Sequence, residues 1–140
     1  MAYYTLREDS LRLRDGEATL LVGLPWYRSL PLRAIRDLSV VVDGEPVDQG
    51  RLRIQAGGGR LSVEEVQAAQ GELLWFLQDR LAVSFPLAAG DGARHVAVTL
   101  LLMPPYLRGP AGGGLVVPVR ADAVLAPQAE DSGDALGRVA

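Results

Sequence analysis

The stretch LRLRDGEATLLVG, residues 11 to 23, contains the clearest fold signal in the sequence. Apolar and basic residues alternate from Leu11 to Arg14, which is the pattern of a strand with one buried face. Asp15 and Gly16 then form the dipeptide favoured in two-residue hairpin turns, and a second apolar run follows at once. The stretch therefore predicts a β-hairpin.

Similar strand signals recur along the rest of the chain, separated by turn residues. They occur in DLSVVV-DG-EPV, in RLRIQ, in RLAVSF and in HVAVTLLLM, the last of which ends at Pro104-Pro105. The segment SVEEVQAAQG predicts one short helix, because Ser62 and Glu65 form a capping box and Gly71 can end it. Regular strand spacing with little helix predicts an all-β fold, an antiparallel β-sandwich resembling a jelly roll.

The domain organisation follows from composition. We predict a single β-sandwich domain over residues 1–120, with AGGGR (56–60) as a flexible connection and Leu115–Val119 as one possible edge strand. The remaining residues, 121–140, contain few large apolar side chains and are expected to form a flexible C-terminal tail.

Charge and hydropathy exclude several classes of protein. The net charge is −3, and the 14 basic residues, all arginine, are scattered among acids, so a nucleic-acid partner is not expected. No apolar run approaches the roughly 20 residues of a membrane span, and the amino terminus does not read as a secretory signal. Without cysteine there is no disulfide framework. A cytoplasmic protein is the simplest expectation.

Candidate catalytic groups are few. His95 is the single histidine, so no paired-histidine metal motif can form, and we predict no metal ligand or catalytic residue in this chain. Asp43 with Glu45 and Glu64 with Glu65 are carboxylate pairs. The first pair lies in a turn and the second in the first turn of a helix, where acids are favoured for structural reasons.

A more informative segment is GLPWYRSLPLRAI, residues 23 to 35, which follows no strand or helix period. Its two prolines favour an ordered, extended loop. Aromatic residues beside arginine are typical of recognition hot spots, and the composition recurs after Pro104-Pro105. The predicted contact residues, for a partner or a substrate entrance, are Trp26, Tyr27, Arg28, Leu30, Tyr106 and Arg108.

The order of these motifs resembles the C-glycoside deglycosidase beta subunit family. The resembling parts are WYRSLPLRAI, the strand ending in VDGEPV, RLRIQ, the SVEEV helix, Trp75-Phe76, and the strand from GARHVAVTLLL to PPY at Tyr106. The resemblance covers about residues 11 to 108. The segment from Gly109 to Ala140 has no counterpart in the pattern.

The resemblance implies a specific division of labour. A larger alpha subunit with a TIM-barrel fold carries a divalent metal, typically manganese, and the small beta subunit is a β-sandwich without a cofactor that binds and supports it. The implied reaction cleaves the carbon–carbon bond of a 3-oxo-C-glycoside whose aglycone is aromatic, such as a flavonoid. A homodimer is expected when the chain is alone.

Two alternatives remain open from the residues themselves. Trp26 and Tyr27 could form a sugar platform in a stand-alone carbohydrate-binding module. An enzyme that uses Asp43, Glu45 or His95 directly would require those side chains to converge in a deep pocket.

Overall fold

The computed structural model of the chain describes residues 5–24, 30–56, 59–68, 73–75, 80–88, 92–105 and 114–129. Within these residues there are a helix, α1 (Val63–Ala68), and two 3-10 turns, Leu32–Ala34 and Gln49–Arg51. The strands in chain order are β1 (Leu11–Arg14), β2 (Glu17–Gly23), β3 (Leu30–Pro31), β4 (Ile35–Val42), β5 (Glu45–Pro46), β6 (Arg53–Ala56), β7 (Gly59–Leu61), β8 (Leu74–Trp75), β9 (Arg80–Pro86), β10 (Arg94–Leu102), β11 (Val117–Leu125) and β12 (Gln128–Ala129).

The described strands form an all-β fold, which confirms the predicted fold class. A six-stranded sheet has the order β12-β1-β2-β9-β6-β7, a four-stranded sheet has the order β11-β10-β4-β5, and β3 pairs with β8 alone. Neighbouring strands are antiparallel except β12, which is parallel to β1. Phe85 of the larger sheet and Leu100 of the smaller one are each 1% exposed and belong to one core cluster, so the two sheets share a core.

Both predicted hairpin turns are confirmed in their backbone geometry. Asp15 and Gly16 have φ angles of 51° and 78°, and Asp43 and Gly44 have φ angles of 51° and 82°. Positive φ at both central residues defines the turn type whose twist matches that of the flanking strands. Aspartate and glycine tolerate this conformation better than most residues do, which explains why these dipeptides stand at the two turns.

The predicted strand faces and helix cap are also confirmed. Leu52 and Ile54 are completely buried, and Leu81, Val83 and Phe85 of β9 all belong to the core cluster. The backbone N–H of Ser62 donates to the Glu65 carboxylate at 2.8 Å, and the N–H of Glu65 donates to the Ser62 hydroxyl at 3.1 Å. This reciprocal pair is the expected capping box.

Two expectations need correction. Gly59 and Arg60, predicted to be part of a flexible connection, lie in β7, which pairs with β6. The predicted boundary at residue 121 falls inside β11, which pairs with β10 over its whole length, and β12 follows it. Glycine, alanine and aspartate have low strand propensity, so β7 depends on its hairpin pairing with β6, and the second half of β11 depends on its pairing with β10. Residues 130–140 lie outside the described residues.

No helix in the described part of the chain is long and apolar enough to cross a membrane.

Candidate functional site

The segment that carries Trp26, Tyr27 and Arg28 connects β2 to β3. Residues 25–29 themselves lie outside the described residues, but both of their anchors are described. Leu24 precedes the segment and is 8% exposed, and Leu30 follows it and is 1% exposed. Leu30 was a predicted contact residue, but its side chain packs in the core and therefore fixes the end of the segment.

A short two-stranded ribbon, β3 with β8, holds Leu30 in place. Leu30 pairs with Trp75, and the backbone N–H of Leu32 donates to the carbonyl of Leu73 at 2.9 Å. Trp75 is 2% exposed and belongs to the same core cluster as Leu30. Phe76 lies outside the described residues.

The second predicted contact segment begins at the same end of the sandwich. The backbone N–H of Met103, just after β10, donates to the carbonyl of Ala34 at 2.8 Å. Ala34 is four residues from Leu30, and four residues of chain span at most about 14 Å. Leu30, which anchors residues 25–29, therefore lies near Met103, the point from which the chain leads to Tyr106. Tyr106 and Arg108 lie outside the described residues.

A charged cluster lies at the end of β2, close to the point where residues 25–29 begin. Arg80 is paired with Gly23, the last residue of β2. Its guanidinium binds both carboxylate oxygens of Asp9, at 2.8 and 3.3 Å, and Arg12 approaches the same carboxylate at 3.9 Å. The Arg80 side chain is 17% exposed, so most of it is withdrawn from solvent. The cluster ties the residues before β1 to the start of β9.

The same cluster predicts a pH dependence of stability. Hydrogen bonds from Arg80 hold the pKa of Asp9 below its ordinary value of 3.8, against a smaller opposing effect of burial. A carboxylate with a lower pKa in the folded state stabilises the fold above its unfolded pKa, and this contribution is lost as the pH falls through the folded value.

We therefore expect Asp9→Asn to lower the free energy of unfolding at neutral pH, because it removes the charged partner of Arg80. The loss should be only about 0.5–1 kcal/mol, since the carboxylate is half-exposed to solvent. The difference from wild type should shrink below about pH 4, as followed by urea unfolding at several pH values. Asp15→Asn is the matched control, since Asp15 is 92% exposed and asparagine tolerates its positive φ. A difference that stays constant down to pH 2 would show that Asp9 acts through packing alone.

The residues of the second alternative, an enzyme using Asp43, Glu45 or His95, lie at the other end of β10. His95 is separated from Met103 by eight residues of strand, about 26 Å. The Asp43 carboxylate accepts from the backbone N–H of His95 at 2.9 Å and from Arg94 at 3.3 Å. The His95 Nε2 atom lies 3.0 Å from the Asp122 carboxylate, and its side chain is 45% exposed. These contacts join the turn to strands β10 and β11.

Among the residues that the structure describes, no group of three potential ligands is arranged to hold a metal ion.

The sequence of this chain also matches a known protein family. Residues 17–106 match the family model for the C-glycoside deglycosidase beta subunit. The chain belongs to this family. The match includes the segment from Trp26 to Leu30 and ends at Tyr106, so it leaves out Arg108, β11 and β12.

Curated relatives in this family come from two bacterial genera. The 3'-dehydrocarminate deglycosidase beta subunit of Microbacterium sp is 40% identical over 101 residues, which are 71% of this chain and 76% of the relative. A C-glycoside deglycosidase beta subunit of Arthrobacter globiformis is 36% identical over 104 residues, 73% of this chain and 79% of the relative. A subunit of the same name from Microbacterium trichothecenolyticum is 31% identical over 103 residues, 73% of this chain and 78% of the relative.

The family resemblance drawn from the motif order is therefore confirmed. The cluster of Asp9, Arg12 and Arg80 was not predicted, because Arg80 is 71 residues from Asp9 and no local pattern links them. The pairing of Leu30 with Trp75 was missed for the same reason.

Proposed function

We propose that this chain is the small, non-catalytic subunit of a C-glycoside deglycosidase and binds a larger TIM-barrel subunit that carries a divalent metal, manganese. The observation that carries the proposal is the family match over residues 17–106, supported by relatives whose names designate beta subunits. The complex would act in the cytoplasm as a carbon–carbon lyase.

The reaction proposed for the complex uses the acidity that a 3-oxo group gives to the neighbouring sugar carbon. A base removes the proton from C2, and the electron pair forms a C1–C2 double bond as the bond from C1 to the aglycone breaks. The aglycone carbon leaves with the bonding electrons and takes up a proton. The 3'-dehydro substrate in the name of the Microbacterium relative agrees with this requirement.

The end of the sandwich at which β2 ends and β4 begins is the proposed contact end, and its structure is suited to support such a partner. Leu24, Leu30 and Trp75 are buried and fix the base of residues 25–29, and the Met103–Ala34 hydrogen bond holds the residue that follows β10 at the same end. A fixed base reduces the entropy that ordering a loop costs on binding. Trp26, Tyr27 and Arg28 are then the proposed anchors, together with Tyr106 and Arg108.

We assign the metal to the larger subunit because Asp43 and His95, the candidate metal ligands in this chain, already have other partners. Asp43 binds Arg94 and the backbone of His95, and the ring of His95 faces Asp122. Arg94 would also place a positive charge beside any cation bound there.

The direct test is copurification. The tagged full-length chain is expressed in its native host, and proteins that copurify are identified by mass spectrometry. We expect a TIM-barrel protein of the sugar isomerase type, recovered with the tagged chain in a fixed ratio. If the chain purifies alone and binds a glycan by itself, the subunit proposal is wrong and the aromatic segment is a sugar platform.

A further inference from the structure

Strand β11 forms an edge of the four-stranded sheet. It pairs with β10 along nine residues, and no strand in the described part of the chain pairs with its other side. An unpaired strand edge presents backbone N–H and C=O groups that can form hydrogen bonds with another strand. Val124 on this strand is 69% exposed. The strand lies outside the residues that match the family model, so the family relationship does not explain its sequence.

The sequence of β11, VPVRADAVL, is complementary to itself in one antiparallel register. We propose that a second copy of this chain pairs with β11 about a two-fold axis at Ala121, which joins the two four-stranded sheets into one sheet of eight strands. In this register every apolar residue is opposite an apolar residue and each charged residue is opposite one of the other sign. The pairs are Val117 with Leu125, Pro118 with Val124, Val119 with Ala123, Arg120 with Asp122, and Ala121 with itself.

The side-chain faces of β11 agree with this pairing. Ala121 and Leu125 are buried in the core, whereas Pro118, Arg120, Asp122 and Val124 are exposed on the opposite face. Directly opposite residues of antiparallel strands lie on the same face. The pair of Arg120 and Asp122 therefore forms twice on the solvent face, where the charges stay hydrated.

The carboxylate of Asp122 can accept this second contact. One of its oxygens, Oδ2, lies 3.0 Å from Nε2 of His95 in the same chain. A carboxylate has two oxygens and about four acceptor positions, so Oδ1 remains available to an arginine from the second copy. His95 thereby orients the acceptor.

The alternative registers are disfavoured by the same charges. Because the axis keeps core and solvent faces aligned, the strands can shift only by an even number of residues. Moving the axis to Arg120 places two arginines opposite each other, and moving it to Asp122 places two carboxylates opposite each other. Like charges directly opposite destabilise a strand pair. Pro118 lacks a backbone donor, so it weakens the ladder at its ends and leaves the central pairs intact.

The test uses charge reversal in two full-length variants, Arg120→Asp and Asp122→Arg. Each variant alone places like charges opposite each other, and its self-association should weaken by about tenfold or more. Mixing the two variants restores opposite charges at both positions, so the mixture should form a heterodimer. Sedimentation velocity over a concentration series measures each species against the 15.0 kDa mass of one chain. Arg33→Asp, an exposed charge reversal in the 3-10 turn, is the matched control and should dimerise as wild type does.

The outcomes separate this inference from the proposed function. A wild-type dimer, two monomeric single variants and a dimeric mixture support the pairing through β11, and thermal unfolding of each variant shows that it folds. The inference is overturned if wild type is monomeric throughout the series, if either single variant dimerises as tightly as wild type, or if the mixture stays monomeric. None of these results depends on a larger subunit, which is absent from the experiment.

Discussion

Replacing Trp75 with alanine is expected to lower the free energy of unfolding by about 3–5 kcal/mol, as measured by urea unfolding followed with far-ultraviolet circular dichroism. The side chain is 2% exposed, lies in the core cluster and pairs with Leu30 across the β3–β8 ribbon. Its removal deletes a large buried apolar surface and leaves a cavity. The same change should weaken binding of the larger subunit, because it loosens the base of residues 25–29.

A graded control distinguishes packing from a general disturbance of the ribbon. Trp75→Phe keeps an aromatic ring at the site and should lose clearly less stability than Trp75→Ala. A loss of less than about 1 kcal/mol for the alanine variant would contradict the burial of this side chain, since substitutions of that size are typical of the surface.

The largest expected effect on binding belongs to Trp26 and Arg28. Aromatic and arginine anchors at the centre of an interface contribute about 2 kcal/mol or more each when truncated. The double variant Trp26→Ala with Arg28→Glu should therefore lose about 700-fold in affinity for the larger subunit, since each 1.4 kcal/mol corresponds to about tenfold. Isothermal titration calorimetry with the purified larger subunit measures the change.

A charge reversal away from the contact end controls for this experiment. Arg14 is exposed beside the turn that precedes β2, whose other end leads into residues 25–29, and Arg14→Glu should bind as wild type does. If the double variant also binds as wild type does while its unfolding is unchanged, the contact surface lies elsewhere on the sandwich. The subunit role could then be correct, but these anchors would be wrong.

Features that depend on neighbouring residues could be predicted from the sequence. The two Asp-Gly turns, the capping box of Ser62 and Glu65 and the apolar face of β9 each follow from a local pattern, and the structure confirms them. The order of such motifs was also sufficient to predict the family.

Features that depend on distant residues could not be predicted. An edge strand was predicted only over Leu115–Val119, whereas β11 continues to Leu125 through alanine and aspartate, which have low strand propensity, because it pairs with β10. The bond between Asp9 and Arg80 joins residues 71 positions apart. The contact loop was predicted from composition, but only the structure shows that Leu30 is buried and that Met103 lies beside Ala34.

The central claim is that this chain acts only as part of a complex that cleaves C-glycosides. The most direct measurement is the release of aglycone from a 3-oxo-C-glycoside by this chain alone, by the larger subunit alone, and by the two together with manganese. We expect release by the complex at a rate far above the sum of the separate chains, and none by this chain alone. Release by this chain alone, or a rate for the larger subunit that does not change when this chain is added, would contradict it.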